Sequence, residues 1–131
     1  MSEHERLPES TNAVSKVVVE CAYQVHEHLG PGLLESIYEL CLAEELAARG
    51  HRVVRQRKIP VRYKGKVLDA DLRLDLLVED CVVIEVKTVD LLLPLHEAQL
   101  LTYLKLSGVR LGLLINFNVP RIKDGLRRRI L

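Results

Sequence analysis

Two apolar runs of strand length, CVVIEVKTV starting at Cys81 and RLGLLINFNV starting at Arg110, stand on either side of HEAQLLTYLKLSG, which has helical spacing and stops at Gly108. A strand, a helix and a second strand in that order join one sheet through a crossover, and the crossover makes the two strands parallel. A parallel pair must be covered on both faces, so the rest of the chain has to supply further layers. CVVIEVKTV is the most hydrophobic of the strand runs and is predicted to be central.

The segments before it supply those layers. In ESTNAVSKVVVECAYQVHEHLG, Val14, Val17, Val18, Cys21 and Val25 recur three or four apart, which predicts an amphipathic helix capped by Ser10 or Thr11 and ending at Gly30. Gly30 to Gly32, GPG, form a tight turn, and LLESIYELCLAEELAARG is a second helix closed by Gly50. The two helices are expected to form a hairpin. From His51 the period changes to that of strands: RVVRQRKIPVRY, a turn at Lys64-Gly65, and KVLDADLRLDLLV, where Leu68, Leu72, Leu74, Leu76 and Val78 alternate with polar residues as if they shared one buried face. GLRRRIL at the end is a last edge strand after a short turn or helix. The order α-α-β-β-β-β-α-β describes an α/β fold with a mixed sheet flanked by helices.

With 131 residues the chain is expected to be one domain, residues 1–131, because about 100 to 150 residues suffice for a core. A hydrophobic fraction of 48% with 28% charged residues suits a soluble globular protein, and no apolar run reaches the roughly 18 residues of a membrane span. MSEHERLPES has no apolar signal core, and Cys21, Cys41 and Cys81 are odd in number and far apart, so reduced thiols and a cytoplasmic location are expected. The net charge of +1 gives no global attraction for a polyanion. Its distribution does: Arg49, Arg52, Arg55, Arg57, Lys58, Arg62, Lys64 and Lys66 follow one another without an acidic residue between them. Such a stretch either attracts phosphates or protects edge strands from aggregation.

Glu85 and Lys87 sit in the central run with strand spacing, so their head groups share one face while Val82, Ile84 and Val86 take the other. Asp75 lies on the preceding strand. It comes opposite Glu85 if paired residue numbers sum to 160, whereas a two-residue loop at Glu79-Asp80 gives 159 and the wrong face. Neither residue suits a primed two-residue turn, so a three-residue loop or a bulge is predicted. Two converging carboxylates repel unless a cation sits between them, and hard divalent ions take such oxygen ligands. The plainer alternative is a salt bridge to Lys87 or Arg73.

Gln99 and Tyr103 are four apart on the next helix, with His96 one turn earlier, and Glu35 and Tyr38 share a face at the start of the second helix, so both can point into one site. Taken singly, these have structural explanations in loop capping and the helix dipole. His26 and His28, two apart on a helix, cannot face each other and make no metal site.

Together, Gly32-Glu35-Tyr38, Asp75 with Glu85 and Lys87, and Gln99 with Tyr103 resemble the GxxExxY family of the PD-(D/E)XK nuclease superfamily, over nearly the whole chain from QVHEHLGPGLLE to DGLRRRI. Leu74 stands where the superfamily signature has proline. The resemblance implies a restriction-endonuclease-like core with an N-terminal helical hairpin, and Mg²⁺ or Mn²⁺ held by Asp75, Glu85 and the backbone carbonyl of Val86. It further implies Lys87 as the group that positions water, Glu35 as a further ligand or water-orienting carboxylate, and Gln99 and Tyr103 as supports or phosphate contacts. The expected function is metal-dependent hydrolysis of phosphodiester bonds in DNA or RNA. The alternatives are a catalytically silent nucleic-acid-binding or protein-interaction module on the same fold, and a purely structural salt-bridge network. A homodimer or higher homo-oligomer, through apolar residues near Leu91 to Leu95, goes with this expectation.

Overall fold

The structure, a computed structural model, describes residues 6–131. α1 (Glu9–Leu29) and α2 (Glu35–Ala48) form the expected hairpin and are followed by β1 (Val53–Tyr63), β2 (Lys66–Val78), β3 (Val82–Lys87), α3 (Pro94–Ser107), β4 (Leu111–Asn116), a short 3₁₀ turn (Ile122–Gly125) and β5 (Leu126–Ile130). Three strands, not four, lie between α2 and α3, and β1 passes through Pro60 with a shift of its register against β2 between Ile59 and Val61. The five strands stand in the order β1-β2-β3-β4-β5, with β3 and β4 parallel and every other pair antiparallel. β3 is therefore central. Among the described residues no helix is long and apolar enough to cross a membrane.

Local chemistry accounts for the ends of these elements. α1 begins at Pro8, whose φ of −56° is set by its ring and whose carbonyl accepts the N–H of Thr11 and Asn12 at 3.1 and 3.2 Å. Thr11, expected with Ser10 as the cap, lies inside the helix and is buried. Lys64 and Gly65, both with positive φ, make a two-residue primed turn that pairs Tyr63 with Lys66. The β2–β3 connection is the three-residue loop Glu79-Asp80-Cys81. Glu79 (φ 50°) and Asp80 (φ 54°) hold left-handed conformations that are uncommon outside glycine, though aspartate adopts them more readily than glutamate. Arg52 stabilises both: its N–H donates to Glu79 Oε1 at 3.0 Å, its carbonyl accepts the Glu79 N–H at 2.9 Å, and its guanidinium pairs with Asp80.

The sheet carries one apolar layer on each face. Val14, Val18, Cys21 and Val25 of α1 and Tyr38, Leu42 and Leu46 of α2 pack with Leu76, Val78, Ile84, Val86 and Ile115. Leu100 and Leu104 of α3, both fully buried, pack with Leu77, Val83 and Leu114 on the other face. Each such leucine contributes about 2 kcal/mol. Gly112 sets how closely α3 approaches, since a Cβ there would lie 2.7 Å from Leu100 Cδ1.

The alternation read along β2 does not hold throughout. Leu72 and Leu74 belong to the α3 side, Leu76 and Val78 to the helical-hairpin side, and Leu68 is exposed. The change of side falls at Asp75. There Gln56, which would face Asp75 across the β1–β2 ladder, has φ 52°, and the pairing of β2 with β3 stops.

Candidate active site

β2 and β3 pair only through Leu76↔Ile84, Leu77↔Val83 and Val78↔Val82, numbers that sum to 160 as the loop expectation required. One step further the ladder is replaced by side chains. The Asp75 N–H donates to Glu85 Oε2 at 2.9 Å, and the Val86 N–H donates to Asp75 Oδ2 at 2.8 Å. The sheet forks here, and each carboxylate satisfies a backbone donor that the partner strand no longer reaches. An ordinary hydrogen bond contributes about 0.5 to 1.5 kcal/mol, so the acids hold the fork together while they face each other across it.

That closeness has an electrostatic consequence. Glu85 is 4% exposed, and burial, followed by the Asp75 carboxylate, pushes its carboxyl up to about 8 against the opposing pull of the Asp75 N–H and Lys87. Burial also raises Asp75, although the Val86 N–H, Lys87 and Gln56 pull it down. Lys87 follows Glu85 on the same face, is half-buried, and makes no ion pair within 4 Å among the described residues. The salt bridge from Lys87 that would make the acidic pair structural does not form, and Arg73 pairs with Asp71 instead.

α3 turns its polar side toward this fork. Gln99 Nε2 donates to the Tyr103 hydroxyl at 3.0 Å, and the Tyr103 phenol is raised by burial and then by the charges of Glu85 and Asp75. His96 stands apart from this pair: its Nδ1 accepts the Leu93 N–H at 2.9 Å and caps the helix. From the opposite layer, the start of α2 brings Glu35 within electrostatic range of Lys87 and Asp75, with its carboxyl raised chiefly by burial. A cleft of about 500 Å³ lies between Glu35 and Asp75 and is lined also by Glu39, Arg55 and Gln56.

Tyr38 does not join Glu35 in the cleft. It is fully buried, stacks on Phe117 with ring centroids 4.6 Å apart, donates its hydroxyl proton to the Gly30 carbonyl and accepts the Leu33 N–H at 3.2 Å. Its role is to hold the turn between α1 and α2, and so to fix where Glu35 begins its helix.

Three residues that line the cleft, Glu39, Arg55 and Gln56, were not among the site residues expected from the sequence. Glu39, 5% exposed, receives Arg55 Nη2 at 3.0 Å and Nε at 3.2 Å and the Gln56 amide at 2.5 Å. The same Gln56 Nε2 lies 3.4 Å from Asp75 Oδ1. A chain of contacts thus runs from α2 through β1 to the acidic pair. The only available signal was the position of Glu39 on the apolar side of α2, one turn after Glu35.

His26 Nε2 is 2.7 Å from the Val119 carbonyl and His28 Nδ1 is 2.9 Å from the Gln24 carbonyl, so both serve the backbone. Among the described residues no three His, Cys, Asp or Glu side chains are grouped closely enough to hold a metal ion. The fork offers a pair of carboxylates, with Glu35 farther off. A family model for the PD-(D/E)XK nuclease superfamily matches residues 12–129. No curated protein and no solved structure matches the chain.

Proposed function

The chain belongs to the PD-(D/E)XK nuclease superfamily, and from that premise we propose that it is a metal-dependent nuclease of the GxxExxY branch that hydrolyses phosphodiester bonds in DNA or RNA. On this reading residues 1–131 form one nuclease-like domain working in the cytoplasm, with nucleic acid as its partner. A second copy of the chain is the further partner, through the exposed Leu91, Leu93 and Leu95.

The observation that carries the reading is the fork itself, where Asp75 and Glu85 face each other and each gives one oxygen to a backbone N–H. Glu85 Oε1 makes no hydrogen bond among the described residues, and Asp75 Oδ1 has only the long contact from Gln56. In a strand the N–H and C=O of one residue leave on the same side, so the Val86 carbonyl faces the gap that its N–H faces. Two carboxylates and a carbonyl are hard oxygen donors whose charge asks for a cation, and this fits Mg²⁺ or Mn²⁺ better than a softer ion. Such an ion, when bound, supplies Lewis acidity at a phosphoryl oxygen and offsets the repulsion between the two acids.

The remaining steps belong to the chain's own side chains. Lys87 places an ammonium on the Glu85 face, where it orients an attacking water and meets the charge that develops on the phosphoryl oxygens. Glu35, across the cleft, takes the water-orienting role; the third-ligand role lacks the close three-acid grouping it needs. The Gln99 amide holds the Tyr103 hydroxyl, and Tyr103, kept protonated beside the acids, donates to a substrate phosphate.

Lys87→Ala should abolish Mg²⁺-dependent cleavage of a plasmid or of duplex and single-stranded oligonucleotides, with the melting temperature unchanged. Undiminished cleavage by that variant would overturn the assignment. The silent-module alternative draws on the raised Glu85 carboxyl and the missing third acid; metal-independent binding without cleavage of any of those substrates by the unaltered protein selects it.

A further inference from the structure

The β1–β2 hairpin is longer than the sheet that supports it. β3 pairs with β2 only between Leu76 and Val78, while β1 and β2 stay paired out to Tyr63↔Lys66. From Arg57 to Tyr63 this two-stranded arm extends about 20 Å at roughly 3.3 Å per residue. It begins at the fork, for Arg57 follows Gln56, whose amide contacts Asp75. Its cations are unevenly matched. Lys58 is 3.6 Å from Asp69 and its cross-strand partner Arg73 is 2.6 Å from Asp71. Arg57, Arg62, Lys64 and Lys66 are exposed and have no carboxylate partner among the described residues. Arg57 and Arg62 also line a trough of about 420 Å³ shared with Leu106 and Ser107 at the end of α3.

We propose that this arm is a docking surface for duplex DNA, in which Arg57, Arg62, Lys64 and Lys66 hold successive backbone phosphates beside the fork without reading sequence. The inference rests on the nuclease reading for its choice of partner and extends it to the shape of the substrate. A two-stranded ribbon fits the major groove of B-form DNA, whereas the A-form groove of duplex RNA is too narrow and deep. Single strands are bound by rows of aromatic platforms, and the arm exposes only Tyr63, whose ring is already covered by Lys64 Nζ at 5.5 Å. At 3.4 Å per base pair the arm spans about six base pairs on one side of the cleaved bond.

The test is binding of a 30-base-pair duplex in a chelator across a salt series, so that it is independent of cleavage. Each phosphate contact adds about 0.9 to the slope of log affinity against log salt, so Arg57→Gln, Arg62→Gln, Lys64→Gln and Lys66→Gln together should lower the slope by about 3 to 4. At 50 mM salt they should weaken binding by at least a hundredfold, and Lys64→Gln with Lys66→Gln alone should take about half of the slope change. A control that removes Lys16, Lys105, Arg121 and Lys123 carries the same charge change on other surfaces. An equal loss in the control, an unchanged slope in the arm variant, or equal binding of duplex RNA overturns the inference. Cleavage failing in every protein while the arm alone sets the salt slope would overturn only the nuclease reading.

Discussion

The backbone N–H of Asp75 and the carboxylate of Glu85 lie 2.9 Å apart at the first position where β2 and β3 stop exchanging backbone bonds. A buried acid therefore closes the fork in the sheet. Stability at this point is tied to the charge on one side chain.

That tie has a definite sign. The Glu85 carboxyl is raised from 4.5 to about 8 in the folded chain, so the folded state holds more protons than the unfolded state between those values. Its contribution to stability is full below pH 4.5, falls as pH rises through the window, and is gone above about 8. Thermal melting of the metal-free protein should therefore drop from pH 5 to pH 8. Glu85→Gln should flatten the profile, and Mg²⁺ or Mn²⁺ should raise the melting temperature more at pH 8 than at pH 5. A wild-type profile as flat as that of the variant would remove the argument.

Glu39 is expected to matter more than a helix-surface acid. Replacing it by Ala strips the buried partner from Arg55 and the anchor from the Gln56 amide, for a loss of about 1 to 3 kcal/mol by urea unfolding. The lower half of that range is expected, because Arg55 is 42% exposed and water takes up part of its charge. Gln56→Ala should destabilise less but weaken divalent-ion binding measured by calorimetry, since it frees Asp75.

Tyr38→Phe separates a structural role from a role in the cleft. The ring still stacks on Phe117, but the Gly30 carbonyl and Leu33 N–H lose their partner, at a cost of about 1 to 2 kcal/mol. Divalent-ion affinity should be unchanged. Unaltered melting together with lost ion binding would place the hydroxyl in the site after all.

Periodicity and loop chemistry made much of this architecture legible. The crossover order forced β3 and β4 to be parallel, and the unsuitability of Glu79-Asp80 for a two-residue turn led to the register that joins Asp75 with Glu85. Features made by partners distant in sequence were not legible. Glu39 looks like any helix acid until Arg55 and Gln56 arrive on a strand 16 and 17 residues later. Tyr38 has the right helical spacing from Glu35, yet its direction is decided by Phe117, far along the chain. The change of side at Asp75 was hidden too, because alternation in sequence does not show where a twisted strand loses its neighbour.

Gly112 makes the spacing between α3 and the sheet a matter of one missing methyl group. Leu100 fills the room left by the absent Cβ, and Gln99 and Tyr103 ride on the same helix. Any larger residue at that point would act as a wedge against the Leu100 side chain, which would have to leave the place it fills. A glycine on the floor of the sheet thus keeps open the seat of the leucine that stands between Gln99 and Tyr103 in the chain.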